Sequence, residues 1–213
     1  FVLNGLLPGL ETTFSDYNLI PTLTDIDQVR RWQSHCKFME RKLAAALHID
    51  TGMARTGVPG KDLQLILDSH LLTGIDLKLI LSQMVYSHME NPIYSAFQRQ
   101  RFDSALRQLP KAPASLAKSG AIFLGEDYHY KMVRPGIGLH GINPTTDQEN
   151  PLVPVVSLWA KVYQVQDVVC GQTVGYSQTF KVEEPMKIAT LTLGYADGYP
   201  WALASNGHVY FGP

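Results

Sequence analysis

The sequence predicts an α/β fold of parallel strands over residues 1–150, followed by an all-β domain over residues 151–213. Three observations carry this. Residues 1 to 110 alternate short apolar runs with amphipathic stretches, a rhythm that implies parallel strands joined by right-handed helical crossovers. Asn143 to Pro154 holds Asn, Pro, Thr, Asp and Gln with little apolar content and reads as a linker. From Val155 onward, strand-like runs follow one another between turns, with no convincing helix. The rhythm alone does not separate a doubly wound sheet from a (β/α)8 barrel.

Taken in order, Phe1-Val2-Leu3 and Leu19 to Leu23 read as strands. Thr24 or Asp25 caps a helix whose apolar positions Ile26, Val29 and Trp32 fall at helical spacing, running through Phe38 to about Leu43. Ala44 to Ile49 is the next strand and ends in Asp50-Thr51-Gly52. Lys61 to Ser69 reads as a helix, and Leu71 to Val85 is ambiguous but closes as a strand end at Met84 to His88. Ile93 to Leu109 is a helix with Phe97, Phe102, Ala105, Leu106 and Leu109 on one face. Ala114-Ser115-Leu116 and Val133 to Leu139 read as strand ends leading to glycine-rich loops, with a short helix over Ala121 to Leu124 between them. In the second domain the expected strands are Val155 to Val165, Gly175 to Lys181 and Lys187 to Leu193.

The 213 residues are 45% hydrophobic with a formal net charge of -1, an ordinary globular composition with apolar mass for a sizeable core. Near-neutral charge gives no electrostatic case for nucleic acid or an anionic membrane, and neither is expected as a partner. No apolar run reaches membrane-spanning length. Cys36 and Cys170 lie far apart without metal-type spacing; they read as reduced, structural thiols of a cytoplasmic protein, and no metal site is expected. Phe1 to Gly5 does not read as a charged leader. The chain starts inside an apparent strand and stops just after an apparent turn at Ser205 to Val209, so it is expected to be a piece of a longer enzyme.

Several stretches suit chemistry. The apolar run Ile188 to Leu193 reads as a buried strand ending at Gly194, where Asp197-Gly198 and Pro200 force a turn. Tyr195 is then rooted between glycines with its hydroxyl free, although such a tyrosine equally packs under a loop. After the strand that ends at Ile49, Arg55 offers a planar fork suited to a carboxylate, among glycines that let backbone approach a ligand. His88 stands at another strand end, where a histidine is equally a satisfied core residue. The hydroxyls and free amides of Ser115-Leu116-Ala117-Lys118-Ser119-Gly120-Ala121, ahead of a short helix, and the cation and glycines of Arg134-Pro135-Gly136-Ile137-Gly138, together suit a phosphate.

The order of these motifs resembles alanine racemase: Asp50 to Gly57, Tyr86-Ser87-His88, Ala117 to Ala121, Met132 to Leu139 and Gly194 to Pro200. The resemblance covers almost the whole chain. It implies a (β/α)8 TIM-type barrel, here partial, followed by a β domain. It also implies a pyridoxal 5'-phosphate cofactor, L- and D-alanine as substrates, and a homodimer whose active site is shared between subunits. The activity implied is alanine racemisation, supplying D-alanine for peptidoglycan. Carried over residue by residue, Tyr195 resembles the catalytic tyrosine on the L face of the α-carbon, reaching the partner subunit's active site. His88 resembles its hydrogen-bond partner, and Arg134 the arginine at the pyridine nitrogen. Arg55 resembles the arginine that holds the substrate carboxylate, and Ser119, Gly136 and Ile137 match cofactor-phosphate positions.

The chain also departs from the family pattern. The cofactor-linking lysine lies on the first barrel strand, which is expected ahead of Phe1, so the chain by itself is expected to be inactive. The family segment that completes the substrate pocket is expected beyond Pro213. Lys118 stands where the family usually has asparagine, His140 where tyrosine is common, and His48 where a lysine, sometimes carbamylated, supports the arginine matched to Arg55. Alternatives are a related racemase acting on serine or lysine, a non-catalytic pyridoxal-phosphate-binding barrel, and a structural segment matching by chance. The motifs serve the cofactor and the carboxylate, which all amino acids share, so they do not read the side chain.

Overall fold

The computed structural model describes residues 1–86, 91–145, 148–204 and 206–211. The chain forms two compact units, Phe1–Val156 and Ser157–Pro213. In the first unit, helices and strands alternate: α1 (Glu11–Asp16), β1 (Thr22–Leu23), α2 (Ile26–Phe38), β2 (Leu43–His48), α3 (Gly60–Asp68), β3 (Ile75–Leu81), α4 (Pro92–Gln108) and β4 (Ala114–Ser115).

The four strands pair in parallel in the order β1-β2-β3-β4. Parallel bridges extend the ladder on both sides, from Val2 to Pro21 and from Lys118 to Arg134. A doubly wound sheet reverses its strand order at a switch point. Here the order never reverses, which makes the sheet an arc of a (β/α)8-type barrel.

Local chemistry explains the elements. Asp25 caps α2, its carboxylate accepting from the Gln28 N–H at 2.7 Å. Val29, Trp32 and Cys36 then fall on the one face that α2 buries. Asn91 caps α4 in the same way, accepting from the Tyr94 N–H at 3.0 Å, with Pro92 in the first turn. β2 is buried along almost its whole length, as expected of a parallel strand covered on both faces. Leu23, Leu47, Ile66, Ile80, Phe102 and Leu116 lie at the centre of the core.

Several expectations need correction. α2 stops at Phe38 and Leu43 already belongs to β2, because Glu40 takes a left-handed φ of 51° that breaks the helix. The ambiguous stretch 71–85 contains β3. The Phe1 to Leu3 strand reduces to the Val2 bridge. Only Arg134 of the segment 133–139 is bridged as a strand residue, and Ile137–His140 is a 3-10 turn. Gly120–Leu124 is also a 3-10 turn. The short helix α1 carried no sequence signal that pointed to it.

The second unit holds β5 (Val162–Val168), β6 (Thr173–Val174), β7 (Phe180–Lys181) and β8 (Met186–Leu191). β5 pairs antiparallel with β8, and β6 with β7. The expected strand at 155–165 therefore begins later, and the one at 175–181 reduces to β7, its earlier part being a turn at Tyr176–Gln178. β8 also corrects the buried strand expected at 188–193: it ends at Leu191, and its residues are exposed or partly exposed. A two-stranded ribbon has no second layer to cover its apolar side chains. Cys36 is buried in the first unit, whereas Cys170 is exposed and has no structural role of that kind. Among the described residues no helix is long and apolar enough to cross a membrane.

Candidate active site

The carboxyl ends of β2, β3 and β4 are neighbours in the sheet, so the segments that follow them gather at one end of the barrel arc. That is where parallel α/β folds place their ligands. Arg134 is tied into this end. Its backbone N–H donates to the Ala117 carbonyl at 2.9 Å. Its guanidinium donates to the Ser115 hydroxyl, to the Ser82 carbonyl and, at 3.1 Å, to the Gln83 side-chain oxygen. Ser115 in turn donates to the Met132 carbonyl at 2.7 Å, which fixes the hydroxyl lone pair toward the arginine. Burial pushes the Arg134 guanidinium down to about 10, which leaves it charged at neutral pH. Among the described residues its Nε–H has no acceptor.

A second layer supports these groups. Gln98, fully buried on α4, donates to Thr51 Oγ1 at 3.3 Å and to the Gln83 carbonyl at 3.2 Å, and accepts from the Val85 N–H at 2.9 Å. Thr51 and Ser82 share a hydrogen bond of 2.7 Å. One helix thus locks the segments after β2 and β3 together. Ser115 belongs to the hydroxyl-bearing stretch read as an anion site, and the structure turns it to Arg134 instead; Ser82, Gln83 and Gln98 were not singled out from the sequence, because a lone serine or glutamine has no spacing signature.

Ser119 is buried, and its Oγ accepts from the Gly136 N–H at 2.8 Å and the Gly138 N–H at 3.2 Å. Its hydroxyl proton and the Ile137 N–H have no acceptor among the described residues. A Cβ on Gly138 would lie 3.4 Å from Ser119 Oγ, whereas one on Gly136 would meet nothing within 4 Å. The cradle therefore has donors to spare and open space on its Gly136 side, which suits a phosphate.

Arg55 sits in a loop built around Asp50. The Asp50 carboxylate accepts from the N–H groups of Gly52 at 2.9 Å, Met53 at 2.9 Å and Ala54 at 3.2 Å. Tyr94 on α4 donates to the Gly52 carbonyl at 2.8 Å. Gly57 takes a φ of +113°, and a Cβ there would stand 2.8 Å from the Asp50 nitrogen, so the turn demands glycine. Arg55 itself is exposed and makes no hydrogen bond or ion pair among the described residues.

His48, the last residue of β2, is buried at 5% exposure. Desolvation, followed by the positive charge of Arg134, lowers it from 6.5 to about 4; Asp50 opposes this and Arg55 adds to it. The imidazole is neutral at pH 7. Its folded-state proton affinity lies below the unfolded value, so unfolding takes up a proton between about pH 6.5 and 4. Stability is full above that window and should fall by about 3 kcal/mol as the pH drops through it. Denaturant midpoints of the wild-type chain and His48→Gln, compared from pH 7 to 4, should converge toward the acid end. Parallel curves would show that His48 titrates normally.

His88 lies outside the described residues. His140 is exposed. Tyr195 belongs to the second unit, where it opens the 3-10 turn Tyr195–Asp197 and is 75% exposed. The Gly194 N–H donates to the Asp197 carboxylate at 2.9 Å, and Gly198 closes the turn with a left-handed φ of 97°. The structure thus gathers Arg134, Ser119, Gly136, Arg55 and His48 at one barrel end, with Ile137 beside Gly136, while Tyr195 stands in its own unit.

The family model "Alanine racemase, N-terminal domain" matches residues 1–144, and "Alanine racemase, C-terminal domain" matches residues 155–212. The chain belongs to the alanine racemase family. The alanine racemase of Brucella abortus (strain 2308) is 37% identical over 226 residues, an alignment covering 100% of this chain and 57% of that protein. That of Rickettsia africae (strain ESF-5) is 39% identical over 211 residues, covering 98% of this chain and 58% of that protein. A crystal structure of alanine racemase from Bartonella henselae with covalently bound pyridoxal phosphate superposes with a TM-score of 0.85 at 33% identity. It covers 95% of this chain and 56% of that one. The chain therefore spans little more than half the length of the alanine racemases it matches.

Proposed function

We propose that this chain is the middle portion of a pyridoxal-phosphate-dependent alanine racemase and carries most of its cofactor site. The observation that supports this most strongly is Arg134: a charged guanidinium, held by neutral partners among the described residues, beside a phosphate-type cradle. The residues fit the cofactor. The Ser119 hydroxyl and the Ile137 amide would hold its phosphate in the open space beside Gly136, and Arg134 would donate to its ring nitrogen. Once bound, pyridoxal phosphate supplies the delocalisation that makes an amino acid's α-proton removable.

The chain's own residues then have distinct tasks. Arg134 stays protonated at neutral pH and cannot readily pass its proton on, so it would act as a hydrogen-bond donor to a cofactor ring nitrogen and not as its acid, which would leave that nitrogen neutral. Arg55, on the loop built around Asp50, holds the substrate carboxylate through its planar fork. Tyr195 moves a proton at the α-carbon on the L face, in the active site of the partner subunit of a homodimer. His88 orients the Tyr195 hydroxyl.

The second-domain match at residues 155–212 argues against a single-domain cofactor-binding barrel, which would lack both that domain and Tyr195. Substrate breadth is tested by turnover. The whole enzyme, supplied with pyridoxal phosphate, should interconvert L- and D-alanine with a kcat/KM at least tenfold above that for serine or lysine. Equal values would point to a broad-specificity racemase, and no racemisation of any amino acid would end this reading.

A further inference from the structure

The cradle at Ser119 leaves the side chain of the preceding residue without an assigned task. Lys118 is bridged in parallel to Arg134, and the chain turns at Ser119, whose φ of -43° and ψ of -55° are helical, so the two side chains leave in different directions. Ser119 faces the amides of Gly136 and Gly138. Lys118 departs elsewhere: its ammonium donates to the Val85 carbonyl at 3.2 Å. Val85 lies just past β3, the strand that separates β4 from β2 in the sheet. The lysine therefore reaches from the β4 end across the β3 end, toward the β2 loop that carries Arg55.

The two cations feel each other. Burial and the charge of Arg55 both lower the Lys118 ammonium below the ordinary lysine value. Among the described residues the surrounding groups do not neutralise either cation. Asp50 already accepts three backbone N–H groups. His48 is uncharged at neutral pH, and Arg134 adds a further positive charge. Among the described residues Lys118 and Arg55 make no ion pair. Such an arrangement is costly when empty and is relieved by an anion held between the two groups.

We propose that Lys118 and Arg55 form a single carboxylate-binding site, in which Lys118 is a substrate-binding residue. A carboxylate has about four lone-pair sites, enough for the arginine fork and an ammonium hydrogen at once. A phosphate is better served at the Ser119 cradle, where the Ser119 hydroxyl and the Ile137 amide have donors to spare. The assignment of the carboxylate to an amino-acid substrate rests on the racemase reading above; the existence of the site does not.

The test uses the full chain with its lysines 13C-dimethylated, a modification that keeps the charge and one N–H donor. The Lys118 resonance is identified by its absence in Lys118→Gln. Acetate, which carries only the carboxylate, should shift that resonance saturably, whereas chloride at equal ionic strength should not. In Arg55→Gln the acetate affinity should fall by about tenfold, the loss expected of one hydrogen bond between charged groups. Arg55 is exposed and unbonded among the described residues, so this variant should leave the other lysine resonances in place. Absence of a saturable shift, an equal shift with chloride, or an acetate affinity unchanged by Arg55→Gln would each overturn the proposal. Racemisation by the whole enzyme is scored separately. Acetate binding without racemisation would leave the carboxylate site standing while the racemase reading fell.

Discussion

Tyr195→Phe in the whole enzyme should lower alanine racemisation in both directions by about a hundred- to ten-thousand-fold, the range that a positioned acid–base group contributes. Racemisation needs one proton-handling group on each face of the α-carbon. Removing the hydroxyl on the L face blocks net conversion in either direction but leaves the D-face group intact. D-Alanine incubated in deuterated water with the variant should therefore still exchange its α-proton without becoming L-alanine. Proton NMR reads the exchange and chiral chromatography reads the conversion. Tyr195 is exposed, and the backbone of its turn is held by Gly194 and Asp197 without help from the phenol, so Phe should be accepted structurally. Undiminished racemisation would remove Tyr195 from the mechanism. Loss of exchange together with racemisation would show that the two faces are not served by separate groups.

Arg134→Ala should destabilise the first unit by on the order of 4 kcal/mol, because several acceptors lose a charged donor at about 1–3 kcal/mol each and entering water restores only part. The acceptors include the Ser115 hydroxyl at the end of β4 and the Ser82 carbonyl and Gln83 side chain just past β3. The arginine thus ties the ends of β3 and β4 to the segment at 131–134. Arg134→Lys should recover less than half of the loss, since a compact ammonium cannot span acceptors placed for a planar fork. Denaturant midpoints of the three proteins decide the matter. An alanine variant as stable as wild type would mean that Arg134 is held by its backbone alone. It would then owe its place only to ligand chemistry.

Much of the architecture was legible in the sequence. Asp25 ahead of Ile26, Val29 and Trp32 announces α2, and Asn91-Pro92 opens the helix read at 93–109. The strand at Ala44 to Ile49 could be read from its apolar run, which packs on both faces. Where the reading failed, the reasons are physical. The apolar run Ile188 to Leu193 reads as a buried strand, but burial depends on a covering layer that a local pattern cannot supply. The stretch 155–165 is apolar enough for a strand, yet pairing with β8 begins only at Val162. Left-handed Glu40 ended α2 early because nothing about a glutamate demands that conformation.

The candidate site divides in the same way. The sequence by itself determined the family motifs, the order of parallel units and the residue types available at each turn, because these depend on local spacing and backbone freedom. Glycines at 57, 136 and 138 could be read as close-approach positions; a Cβ would crowd the Asp50 nitrogen at Gly57 and touch Ser119 at Gly138, whereas at Gly136 it would meet nothing within 4 Å. Only the tertiary structure decided which polar side chains meet. Gln98 reaches Thr51 from 47 residues away, and Arg134 reaches Ser82 from 52 residues away. The suppressed proton affinity of His48 and the facing charges of Lys118 and Arg55 belong to the same class. They follow from burial and from separations between groups on different strands, and neither is a property of any stretch of sequence taken alone.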